Sequence, residues 1–206
     1  GQLTDGLFQS ALASFVLFSP ERSPNAMSAA LAFTVVLLPY SLIGPYIGTI
    51  LDRFSRQRII RNCNYLRVAD LLIIAYLVDR GSTGIVLTLF VLLAFGVNRL
   101  ILSGLSAGLP LLVKKEELIA ANALAVTGGT IWVVIGGGVG IATKNFVSNN
   151  YGADFADSVV ILLAATCFAL AALSCYRINK YEIGPTGHED KYESAGFAEM
   201  AEGFKI

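Results

Sequence analysis

The stretch Gly48-Thr49-Ile50-Leu51-Asp52-Arg53-Phe54-Ser55-Arg56-Gln57-Arg58-Ile59-Ile60 decides how the rest of the chain is read. A long apolar run, Ala26 to Leu51, ends in it at Asp52 and Arg53, and Arg56, Arg58 and Arg61 follow closely. Four arginines and one aspartate therefore crowd one surface of a membrane. Short loops rich in Lys and Arg stay in the cytoplasm, so the cluster marks an inner loop between two spans. Gly48, four residues before Asp52, lets a neighbouring helix approach closely, and Asp52 stands where a helix end meets lipid headgroups.

Composition agrees. The 206 residues are 55% hydrophobic with a mean hydropathy of +0.66, which excludes an ordinary soluble domain. Fifteen basic and fifteen acidic residues cancel. No continuous basic face exists, so nucleic acid is not an expected partner. Cys63, Cys167 and Cys175 share no metal-ligand spacing and read as small helix-packing residues. The glycine run Gly136-x-Gly138 has Ile141 where a dinucleotide site needs a third glycine, and no strand precedes it. With no Ser/His/Asp or Cys/His set, no metal cluster and no phosphate loop, neither an enzyme nor a cofactor is expected.

Six windows meet or approach the roughly 20 apolar residues that a bilayer requires. They are Leu3 to Phe18, Ala26 to Leu51, Arg61 to Val78, Ile85 to Val113, Leu118 to Thr143 and Asp157 to Tyr176. The first stops at Ser19-Pro20, because proline disfavours helix in the residue before it. Its Asp5 argues against a cleaved signal, and its shortness implies a start upstream of Gly1. The second carries Pro39 and Pro45 and should bend. Only the polar connection Lys144 to Ala156 is long. If the first span enters from the cytoplasm, inner loops hold Arg53, Arg56, Arg58, Arg61, Lys114, Lys115, Arg177 and Lys180, against Arg22, Arg80 and Lys144 outside. That asymmetry places the amino terminus and residues 177–206 in the cytoplasm. Residues 1–181 thus read as an all-α six-helix transmembrane bundle, and 182–206 as a cytoplasmic loop. In that loop Phe197, Met200, Ala201 and Phe204 have the spacing of an amphipathic helix, although the composition fits a disordered tail equally well. His188 there reads as solvated.

The opening loop resembles the signature Gly-x-Leu-x-Asp-Arg-x-Gly-Arg-Arg between the second and third helices of the major facilitator superfamily. Gly48, Asp52, Arg53, Arg56 and Arg58 match, whereas Ile50, Ser55 and Gln57 depart. Thr4 to Leu17, with Asp5, Gly6 and Ala11, resembles the first helix of exporters of the enterobactin and macrolide efflux type. Asn98-Arg99, Gly108-Leu109-Pro110, Glu117-Leu118 and Ala121 to Leu124 are similar to the fourth helix, loop and fifth helix of that group. Gly196-Phe197 to Glu202-Gly203-Phe204 resembles the segment before their seventh helix. The resemblance implies the amino-terminal half of a twelve-helix fold in a bacterial inner membrane, with two bundles around a midplane site. It implies proton-coupled export of a small amphipathic compound by alternating access. The partners would be lipid, that substrate and the missing carboxy-terminal six-helix half.

On this resemblance Gly48, Asp52, Arg53, Arg56 and Arg58 form an inner gate. Arg99, amid Leu100, Ile101 and Leu102, is costly in lipid and should face the bundle interior with a partner. It resembles the fourth-helix arginine of proton-linked exporters, although the glycine that should follow is displaced to Gly104. Asp5 is the candidate partner and a candidate proton carrier, or else a wet cap at a helix end. Arg67 and Asp70, three apart on one helical face, are expected to neutralise each other or join the Asp52 cluster. Gly128-x-x-x-Trp132-x-x-x-Gly136-Gly137-x-x-Gly140-Ile141 resembles an antiporter motif but lacks its proline at Gly137. Gly128, Gly136, Gly137 and Gly140 are read as a packing hinge, and Gly44/Gly48, Gly104/Gly108 and Gly136/Gly140 share the close-packing spacing. Trp132, Tyr40, Tyr46 and Tyr65 are candidates for a cavity wall or for interfacial packing. The departures at Ser55, Trp132, Gly137 and Ile141 favour a competing class, a non-transporting scaffold or accessory subunit among other membrane subunits. Without the proline, import stays open too.

Overall fold

A computed structural model describes residues 1–17, 51, 54–82, 84–179 and 182–184. Every regular element among them is helical: α1 (Gln2–Leu17), α2 (Arg56–Asp79), α3 (Ile85–Leu112), α4 (Leu118–Tyr151) and α5 (Ala153–Ser174), with 3-10 turns at Lys115–Glu117 and Cys175–Arg177. The expected span Ala26 to Leu51 lies outside the described residues apart from Leu51. Among the described residues three stretches, Ile85–Leu112, Lys115–Tyr151 and Ala153–Arg177, are long and apolar enough to cross a membrane.

Two boundaries differ from the sequence reading. α2 begins at Arg56 rather than Arg61, because Arg, Gln and Ile all tolerate helix. The orphan N–H of Arg56 at the helix start finds the carbonyl of Gly184 at 3.1 Å. The segment Lys144 to Ala156, expected to be a polar loop, is helical except at Gly152, whose φ of +90° makes the single-residue turn between α4 and α5. Polarity takes a helix out of lipid without ending it. With 34 residues α4 is about 51 Å long, well beyond a hydrocarbon core of about 30 Å. Lys144, on that extension, reaches the carboxylate of Asp157 on α5 at 2.8 Å.

α2 packs chiefly on α5 and α3, and α1 packs on α4 and α5. Small residues of α5, Ala164, Ala165 and Ala172, are buried. The larger apolar cluster joins Leu7 and Phe8 of α1, Leu71, Ile74 and Val78 of α2, Val91 and Ala94 of α3, and Val160, Ile161 and Phe168 of α5. A second cluster gathers Ile59, Ile60 and Cys63 with Val97, Ile101, Cys175 and Ile183. α4 buries only Gly136 and Gly140. A Cβ on Gly136 would overlap the Leu3 carbonyl, one on Gly140 the Ser10 hydroxyl, and one on Gly6 the Val133 carbonyl. The α1 and α4 backbones are therefore in direct contact, which only small residues permit.

Candidate functional site

The buried stripe of α2 runs Cys63, Arg67, Asp70, Leu71, Ile74 and Val78 at spacings of three and four, so Arg67 sits on the core face of its helix. It is the largest fully buried side chain among the described residues, at 1% exposure. Its Nη1 donates to Asp5 Oδ1 of α1 at 2.6 Å and to Asn98 Oδ1 of α3 at 3.0 Å. The guanidinium carbon lies 3.9 Å from the ring centroid of Phe168 on α5. Four helices thus converge on one cation. Enclosed charges persist only when paired and hydrogen-bonded, and the aromatic face adds attraction. Asp70, one turn further along α2, is 2% exposed, and neither carboxylate oxygen has a hydrogen-bond partner.

This geometry revises the expected pairings. Asp5 pairs with Arg67 rather than Arg99. Asn98 turns inward to the site, and Arg99, about 100° further around α3, stands on an exposed face. Arg67 and Asp70 do not hydrogen-bond to each other, because helical side chains lean toward the amino end and Arg67 leans away from Asp70. The buried pairing of Asp5 also leaves no place for the wet-cap alternative.

Of the loop motif, Gly48, Asp52 and Arg53 lie outside the described residues. Arg56 is buried, donating through Nη1 to the carbonyls of Ala107 at 3.0 Å and Ile183 at 3.3 Å. Beside it, Gln57 donates to Cys175 O at 2.7 Å. Arg56 and Gln57 together tie the start of α2 to the end of α3 and to the chain just after α5. Arg58 is exposed. On α4, Gly136 and Gly140 meet α1, a Cβ on Gly137 would lie 3.9 Å from the Gly6 carbonyl oxygen, and Gly128 faces open space. Trp132 and Tyr65 are 53% and 41% exposed, while Tyr40, Tyr46 and His188 are outside the described residues. The sequence reading gave no site role to Gln57, Asn98 or Phe168. Of these only Asn98, a polar residue within an apolar span, carried a signal.

No family model and no solved structure matches the chain. Two uncharacterized MFS-type transporters, of Mycobacterium bovis and Mycobacterium tuberculosis, are each 32% identical to it over 188 residues, 91% of this chain and 42% of theirs. The chain is a relative of the major facilitator transporters. Macrolide efflux protein A of Streptococcus pyogenes is 28% identical over 122 residues, 56% of this chain and 28% of that protein. The chain therefore spans less than half the length of these curated relatives. Their bacterial sources and the three long apolar helices make this major facilitator relative a multi-pass bacterial membrane protein.

Proposed function

We propose that the chain is the amino-terminal bundle of a proton-coupled exporter of a small amphipathic compound, working by alternating access with a second bundle. The observation that carries this reading is the buried Asp5–Arg67–Asn98 set. Ionisable residues enclosed in a membrane bundle are costly and mark ion or substrate paths. The relationship to macrolide efflux protein A supports export. In this scheme Gly48, Asp52, Arg53, Arg56 and Arg58 gate the cytoplasmic side, holding the bundles shut until the pairs break. Asp5 carries the proton against Arg67, and Arg99 meets the proton or substrate from the exposed face of α3. Gly136, Gly137 and Gly140, with Gly128, let α4 slide on α1 as the bundles rock. The excess of basic residues in the inner loops supports a cytoplasmic amino terminus.

The test is flux of macrolides and lipophilic cations through the full-length protein in proteoliposomes under an imposed pH gradient. We expect gradient-driven flux in the wild type and at least a tenfold loss in Asp5→Asn. Absence of flux for every compound, in correctly inserted protein, would favour the scaffold reading.

A further inference from the structure

The buried set contains an imbalance that the transport scheme leaves unused. Two carboxylates, Asp5 and Asp70, flank one guanidinium, Arg67, and all three are at most 2% exposed. The neighbouring elements add no second cationic side chain among the described residues, and the Gly1 amino group acts electrostatically on Asp5 rather than on Asp70. α1 brings Thr4, whose hydroxyl lies 3.5 Å from the Gly1 nitrogen. α2 brings Cys63 and Asn64, the latter donating to Ile60 O at 2.8 Å. α3 brings Asn98, whose Oδ1 already accepts from Arg67. α5 brings Phe168 and Cys167, and α4 meets α1 through glycines. Arg67 is the positive group that acts electrostatically on Asp70. Its direct hydrogen bonds go elsewhere, which leaves both Asp70 oxygens without a partner.

We propose that Asp5 and Asp70 share Arg67 and one proton, with the proton on Asp70 in the conformation seen here. An ionised carboxylate with two unmet oxygens and no direct counter-ion is very costly in such surroundings, whereas the neutral acid is not. The alternative arrangement is built into the same residues. Arg67 Nε is buried and has no acceptor, and Asp70 stands three residues away on the same face of α2. In the exchange a proton leaves Asp70 and one is taken up by Asp5. The ion pair passes from Asp5 to Asp70, and the set keeps one proton and zero net charge throughout. What changes is which helices are tied. Arg67 paired with Asp5 binds α2 to α1, whereas Arg67 paired with Asp70 closes on its own helix and releases α1. This inference deepens the proton-coupled reading and rests on it for its purpose, since it supplies the link between a proton and a helix movement.

The test needs no transported compound. Infrared difference spectra of the full-length protein in nanodiscs detect a protonated carboxyl through its C=O stretch. The expected result is a buried-acid band at neutral pH that disappears in Asp70→Asn, a variant that mimics the neutral acid and should stay folded. Asp5→Asn should also lose the band, because Asp70 then ionises to take Arg67. The double variant should be destabilised in thermal unfolding by far more than the two singles added together, since Arg67 then has no carboxylate left. A band that persists in Asp70→Asn, no such band in wild type, a failure of Asp70→Asn to fold, or Asp5→Asn as unstable as the double variant would each overturn the shared proton. Spectra as expected without gradient-driven flux would instead overturn the transport reading and leave the shared proton in place.

Discussion

Removing the guanidinium of Arg67 while keeping its length strands Asp5 in the core, and an uncompensated buried charge typically costs about 3–5 kcal/mol. Arg67→Met should therefore lower the unfolding temperature strongly, and Arg67→Met with Asp5→Asn should recover much of that loss, because no ion is then left unpaired. Phe168→Leu removes only the ring face at 3.9 Å and should cost about 2 kcal/mol. Thermal unfolding in one detergent ranks the three, and a Phe168→Leu variant less stable than Arg67→Met would contradict the order. The case also shows what one chain conceals at this scale. That a charge inside a span needs a partner was legible in Arg67, Asp70, Arg99 and Asp5. Which charge meets which was not. Spacing along a helix identifies partners three or four residues away, whereas Arg67 and Asp5 are 62 apart and meet because α1 and α2 both pack on α5.

At the scale of elements the glycines of α4 are separable by experiment. A side chain at Gly136 runs into the Leu3 carbonyl of α1, but one at Gly128 meets nothing within 4 Å. Gly136→Leu should push α4 from α1 and reduce the yield of folded protein several-fold, while Gly128→Ala should leave it unchanged or slightly raised through better helix propensity. Size-exclusion profiles and protease resistance report both, and equal behaviour of the two variants would remove the distinction. The sequence marked all four glycines alike because periodicity locates a small-residue stripe without saying which members the partner touches. Helix ends were legible to within one residue at the end of α2 and at both ends of α3. They were missed where polar residues continue an apolar helix, as from Lys144 to Tyr151, since hydropathy measures affinity for lipid rather than backbone conformation. The tie from Arg56 to the Ala107 and Ile183 carbonyls was hidden for another reason. Its acceptors are backbone groups, which any sequence supplies.

For the whole molecule, orientation governs the gate assignment, because the stretch from Gly48 to Ile60 is an inner gate only if it faces the cytoplasm. The loops expected to be inner carry eight Lys or Arg residues and those expected to be outer carry three, a bias that sets topology when loops are short. The Gly152 turn makes this testable at a single point. It is the tip between two long helices, is exposed, and lies one span away from the loop holding Lys114 and Lys115. Cys63 and Cys175 are buried and Cys167 is partly so, and replacing all three by Ala or Ser removes the native thiols of residues 1–206. In intact cells a cysteine placed at Gly152 should react with a membrane-impermeant maleimide, whereas one at Lys115 should react only after permeabilisation. The reverse pattern would turn the molecule over. The arginines of the opening stretch would then face outward, and the excess of basic residues would need an explanation other than retention in the cytoplasm. The shared proton at Asp5, Arg67 and Asp70 would be unaffected, since burial between helices does not depend on which side is inside.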